Sequence, residues 1–302
     1  MDNNNILIRG TGALACLFAA RLAAIGIQVN MLGTWVDGLD ALSRYGVRLV
    51  EPDGKIRTYL ITASSNPKDF ANTRFALVLV KSWQTDQAAR QLSECLSEDG
   101  LALSLQNGIG NLEKLSQVLG EERVSLGVTT VGATLIAPAR VHAGGEGKVF
   151  VTEAPRISVY ADMLRKAGFE IVWKKDTTAL IWSKLIINAA INPLAALIKV
   201  PNGELLKRKS AKKLLISTAQ EVARVIEAQG IQISYSDPVA ETLNTALRTA
   251  KNRSSMLQDI ERGAPTEIDA ICGEIVKAGE QTGVPTPINR TLWQLVLALK
   301  KE

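Results

Sequence analysis

Histidine is nearly absent from this chain. His142 is the single one in 302 residues. That leaves little for a histidine-rich metal site or a Ser-His-Asp triad. Cysteine is scarce as well. Cys16, Cys95 and Cys272 lie far apart and form no C-x-x-C pair. That argues against a disulfide framework or a zinc site and fits a reducing, cytoplasmic compartment. No uninterrupted apolar run reaches the roughly 18 residues of a membrane span. The longest candidates are broken by Arg21 and by Lys184, Asn188 and Asn192. The opening MDNNNILIRG shows no basic region followed by an apolar core, so no signal peptide is expected. Charge of one sign is in mild excess only, at net +5. That excess suits small anionic ligands and does not imply nucleic acid. The densest basic run, KRKSAKK at 207–213, has no interleaved aromatics and reads as solvated surface.

What is present begins with NILIRGTGALACLFAARLAAIGIQVNML, residues 5–32. A short strand at 6–8 meets Gly10-Thr11-Gly12-Ala13-Leu14-Ala15, an apolar helix follows, and a second strand starts near Gln28. This is β-turn-α-β carrying GxGxxA. Gly10 allows the tight turn, Gly12 lets a pyrophosphate approach the backbone, and Ala15 permits close helix–strand packing. The helix start offers N–H groups to phosphates. At the end of the second strand an NAD site places an acid for the ribose 2′-hydroxyl, and an NADP site tends to place an arginine nearby. This chain has Leu32-Gly33-Thr34-Trp35 there. The missing acid disfavours NAD, and NADP is expected from that absence. Thr34 is the candidate 2′-phosphate contact through its hydroxyl. Arg9, beside the glycines, has no assigned role.

Two further apolar runs read as buried parallel strands. FALVLV at 75–80 ends in Lys81, and LALSL at 101–105 ends in Gln106-Asn107. Ligands of open α/β sheets lie beyond the carboxyl ends of the strands, so Lys81 and Asn107 are candidate ligand contacts. A strand near 124–131, a hairpin over 139–152 carrying His142, a helix at 157–167 and a strand at 170–173 complete the half. From about residue 177 only helical periodicity remains, at 179–198, 211–229, 237–250, 252–262, 267–282 and 288–300. The expected fold is an α/β Rossmann-type domain over 1–175 followed by an all-α domain over 176–302. The helical half could carry a homodimer interface.

The first of those helices contains IWSKLIINAAINPLAALIKV, residues 181–200. Positions four apart differ by about 40° around a helix, so Lys184, Asn188 and Asn192 form one polar stripe. A helix apolar on its other faces is buried, and a buried lysine and two amides need partners. Pro193 is expected to kink this helix.

The chain resembles the ketopantoate reductase (2-dehydropantoate 2-reductase) family over nearly its whole length. The matching stretches are GTGALA (10–15), VKSWQ (80–84), LQNGIG (105–110), WSKLIINAAINPL (182–194), PNGEL (201–205) and SSMLQDIERGAPTEID (254–269). The resemblance implies NADPH-dependent reduction of 2-dehydropantoate to (R)-pantoate, a step towards pantothenate and coenzyme A. It implies Lys184 as the general acid and Glu267 as the acidic group of the substrate site. Asn188, Asn192 and Ser255 would hold substrate, and Lys81 and Asn107 would lie near the nicotinamide ribose and the reacting centre. Gly10 to Ala15 and Thr34 would hold the cofactor, with Glu267 beside it. Gly33-Thr34-Trp35 departs from the family, many members of which carry an arginine there.

The chemistry fits the residue types. Hydride arriving at a ketone carbon leaves negative charge on oxygen, and an ammonium stabilises that charge and supplies the proton. Burial lowers a lysine's pKa and a nearby carboxylate raises it, so Lys184 and Glu267 could offset each other. Two alternatives stay open: the same two-domain plan acting on another 2-keto acid, and a non-catalytic NADP(H)-binding sensor. No metal is expected.

Overall fold

The computed structural model describes residues 5–51, 53–144 and 147–299. The chain divides into two compact units, Met1–Gln106 with Asn111–Thr177, and Asn107–Gly110 with Thr178–Glu302. Asn107–Gly110, expected with the first domain, thus groups with the second.

The first unit runs β1 (Asn5–Arg9), α1 (Ala13–Ala24), β2 (Gln28–Leu32), α2 (Val36–Tyr45), β3 (Val47–Val50), β4 (Ile56–Tyr59), β5 (Thr62–Ser64), β6 (Thr73–Val78), α3 (Thr85–Ser93), β7 (Leu96–Ser104). It continues with α4 (Asn111–Leu119), β8 (Val124–Thr129), β9 (Ala133–Ala137), β10 (Arg140–Ala143), β11 (Lys148–Thr152), α5 (Ser158–Lys166) and β12 (Glu170–Lys174). The main sheet has eight strands in the order β12-β11-β8-β7-β6-β1-β2-β5. All its pairings are parallel except β8 with β11.

The strand β1 shows why the sheet is covered on both faces. Ile6 and Ile8 enter one core with α1 and Tyr160, while Leu7 enters another with residues of α3 and α4. Side chains alternate across a strand, so Ile-Leu-Ile without a polar break marks a strand buried on both sides. The chain passes from β1 to β2 on one side and later to β6 on the other. That reversal opens a crevice at the carboxyl ends of β1 and β6, where α/β sheets bind ligands.

The expected hairpin over 139–152 is not formed. β10 pairs with β9 and β3 in a small second sheet, of order β4-β3-β10-β9. β11 joins the main sheet between β8 and β12. The two Gly-flanked strands are close in sequence, but each finds a better partner elsewhere. Gly145 of the expected turn lies outside the described residues. His142 is exposed on β10, in the small sheet.

The second unit contains α6 (Thr178–Leu197), α7 (Glu204–Lys207), α8 (Lys209–Ala228), α9 (Pro238–Arg248), α10 (Ser255–Glu261), a π-turn (Asp269–Gly273), α11 (Glu274–Thr282) and α12 (Pro287–Ala298). No strand occurs among its described residues. α6 is the central element and packs against α8, α9, α10 and α12. By length and mean hydropathy it would reach across a bilayer despite its polar stripe, but most of it is enclosed in this core. It runs through Pro193 without a break. The helix expected from 252 begins only at Ser255, because Ser254 caps it by accepting from the Leu257 N–H. Glu221 of α8 accepts from the backbone N–H of Ile288 and Asn289, so a buried carboxylate from another helix caps α12.

Candidate active site

Two groups of sequence-selected residues come together, one in each unit. In the first unit the glycine turn sits at the carboxyl end of β1. Gly10 has φ +134, a conformation side chains rarely adopt, and a Cβ there would lie 3.1 Å from the Leu79 carbonyl. Glycine avoids both the strained conformation and the pressure on that backbone. At Gly12 an added Cβ would meet nothing within 4 Å, so the space before it is open. Gly12 is also the N-cap of α1, and it offers no side-chain cap. The first turn of α1 carries no acidic residue. The first N–H groups of a helix have no partner inside it, and with the helix dipole they suit an anion. Thr11 is buried and its methyl lies against Gly33. Ala13 and Leu14 are half-buried, and Ala15 is fully buried against the sheet. Thr34 is exposed between β2 and α2. Lys81 is half-buried at the start of a 3-10 turn over Ser82–Gln84, after β6. These features fit the phosphates of a dinucleotide.

Arg9 directly precedes Gly10. It is 1% exposed, at the end of β1, and its Nη1 donates to the Leu32 carbonyl at 3.2 Å. The same carbonyl accepts from the Gly10 N–H at 2.9 Å. Nε and Nη2 of Arg9 are buried and have no partner. Burial pulls its pKa down to about 10.

In the second unit Lys184 stands on α6. The residue is half-buried, but its ammonium lies among protein atoms. That desolvation brings its pKa down to about 8, and the charge of Glu267 pushes the other way. Glu267 is 4% exposed, just before the π-turn. Its Oε2 accepts from Asn107 Nδ2 at 3.2 Å. The four residues Asn107–Gly110 are fastened to the same place. The Ile109 N–H donates to the Ala270 carbonyl at 3.2 Å. Gly108 has φ +84, and a Cβ there would fall 2.7 Å from Ala270. On the stripe, Asn188 is half-buried and Asn192 is buried. The Ser254 hydroxyl reaches the Asn192 carbonyl at 3.5 Å, while Ser255 is exposed as the first residue of α10.

So Lys184, Glu267 and Asn107 form one connected group, on the same helical unit as Asn188, Asn192 and Ser255. The link of Asn107 to Glu267 was not read from sequence, nor was the π-turn that follows Glu267. π-turns recur at functional sites because they shift a side chain out of helical register. Among the described residues no cluster of His, Cys, Asp and Glu could hold a metal ion.

Residues 6–156 match the model of the ketopantoate reductase PanE/ApbA family, and residues 176–300 match the model of its C-terminal part. The chain belongs to this family. The 2-dehydropantoate 2-reductase of Archaeoglobus fulgidus is 37% identical over 98% of each chain. That of Halobacterium salinarum is 32% identical over 98% of this chain and 99% of the other. Among solved structures, a PanE/ApbA family ketopantoate reductase from Ralstonia eutropha JMP134 superposes with a TM-score of 0.90 at 29% identity, covering 98% of both chains. A D-mandelate dehydrogenase with NADH and anilino(oxo)acetate superposes with a TM-score of 0.91 at 24% identity and 98% coverage of both, which shows a shared fold alone.

Proposed function

We propose that this ketopantoate reductase family member reduces 2-dehydropantoate to (R)-pantoate with NADPH, and that Lys184 is the general acid. The observation that carries the reading is the enclosed Lys184 ammonium, with its pKa brought to about 8 and Glu267 as its counter-charge. A group titrating near the working pH combines the right protonation state with an easy transfer, which is what general acid catalysis requires.

NADPH, when bound, supplies the hydride that arrives at the C2 ketone. Lys184 donates its proton to the ketone oxygen as charge grows there, and becomes a neutral amine. The carbonyl thereby becomes a hydroxyl, and the amine regains a proton from water. Glu267 keeps Lys184 charged before the step. Asn107 holds one oxygen of that carboxylate at 3.2 Å and fixes its direction. Asn188, Asn192 and Ser255 orient the substrate carboxylate and hydroxyl with neutral donors. Gly10 to Ala15 would receive the pyrophosphate through backbone N–H groups, and Thr34 and Lys81 would add side-chain contacts. The three cysteines are buried and unpaired, which suits a reducing cytoplasm.

The test is absorbance of NADPH, and separately of NADH, on adding 2-dehydropantoate to the purified protein. Rapid oxidation of NADPH is expected. Turnover confined to another 2-keto acid in a substrate panel would replace the substrate, and tight dinucleotide binding without any turnover would leave only a sensor.

A further inference from the structure

Among the described residues, Arg9 is the buried charge least accounted for. Strand β1 is otherwise Asn-Ile-Leu-Ile, and a charged residue at its end stands where the alternation places it on the face of Leu7. Leu7 belongs to an apolar core that also contains Leu32, Val78, Ala89 and Cys95. Among the described residues no carboxylate pairs with the guanidinium, and its one protein acceptor is the Leu32 carbonyl. Five N–H donors with one acceptor leave a buried charge badly compensated. Such a group calls for a partner that completes the set, and an anionic ligand is one.

The position says which ligand. β1 and β2 pair in parallel with Arg9 opposite Leu32, the last residue of β2. The end of β2 is where dinucleotide folds read the adenosine 2′-position, and an arginine nearby accommodates a 2′-phosphate. The residues after it, Gly33-Thr34-Trp35, supply no cation. We propose that Arg9 supplies it from the neighbouring strand: its guanidinium, already fastened at the carboxyl end of β2, takes the 2′-phosphate of NADPH through Nε and Nη2. The assignment rests on the dinucleotide reading of the glycine turn. Nε and Nη2 are enclosed where they stand, so the assignment requires the side chain to turn outward when the phosphate arrives. Only one hydrogen bond is given up in that turn, and two charge-assisted bonds to phosphate replace it.

Isothermal titration of the whole protein with 2′,5′-ADP and with 5′-ADP tests this without turnover. Wild type should favour 2′,5′-ADP by about tenfold or more. Arg9→Met keeps the stem's volume and should bring that ratio near one while 5′-ADP binding changes little. A merely structural arginine would weaken both nucleotides together, so an unchanged ratio in Arg9→Met overturns the assignment. If that variant does not fold, Arg9→Lys decides, because it keeps charge but loses the fork. A severalfold drop in the ratio supports the proposal, and an unchanged ratio overturns it. If folded wild type binds neither nucleotide, the dinucleotide reading falls and the proposal with it. If wild type binds both equally, only the role of Arg9 falls.

Discussion

Each unit of this protein buries one cation next to its candidate ligand groups, and the two cations are treated differently. Lys184 has Glu267 as counter-charge, and Asn107 in turn holds that carboxylate. Arg9 has a single carbonyl and two unsatisfied nitrogens. A lysine that must give up its proton needs a tuned pKa, so burial and a carboxylate act on it in opposite directions. An arginine proposed only to hold an anion has no proton to give up, and its unpaired donors would serve that anion. The surroundings differ in the same sense. On the proposed reading the glycine turn would work through backbone, where an added Cβ is the threat, and the lysine stripe through side chains, where losing a functional group is the threat.

The contrast is broken most severely at Lys184. Lys184→Ala should lower kcat by roughly a hundredfold to ten-thousandfold, the usual weight of a positioned acid. NADPH affinity, read by fluorescence titration, should barely change. Retained turnover would remove Lys184 from the chemistry. Gly10→Ala attacks the backbone side. Its Cβ would press on the Leu79 carbonyl at 3.1 Å with φ at +134. It should cost about 1–3 kcal/mol of unfolding free energy, read by denaturant titration, and weaken dinucleotide binding. Full retention of both would mean that the turn has more room than its geometry shows. Glu267→Gln sharpens the comparison with a smaller effect. Removing the carboxylate removes the influence that raises the Lys184 pKa, so that pKa should move below about 8. The alkaline fall of kcat/KM should then begin at lower pH, with kcat/KM itself reduced by roughly tenfold. An unmoved pH profile would separate the two residues.

Sequence and structure agree best where a pattern is local. The GxGxxA turn between β1 and α1, the buried parallel strands and the polar stripe of α6 follow from neighbours within a few residues. The small second sheet does not. β3 and β10 each alternate buried with more exposed residues, but their pairing sets Arg48 against Arg140, far apart in the chain, and β4 is largely exposed. The hairpin expected over 139–152 is absent for the same reason: strand type is local, but strand partner is not. Asn107–Gly110 looked like the end of a strand in the first domain. Its bonds to Glu267 and Ala270 are made with residues far along the chain. Lys184 and Glu267 were legible as residue types through the family resemblance, while the charge coupling between them needed coordinates. Arg9 did leave a signal, a charge at the end of an apolar strand. Its missing acceptors could be seen only once the neighbouring strands were in place.

The central claim is that Lys184 delivers the proton, and the pH dependence of kcat/KM for 2-dehydropantoate reduction tests it most directly. The acid must be protonated, so the rate should hold steady below the pKa and fall as pH rises through about 8. A profile that stays flat well above that pH in the wild type would contradict the account.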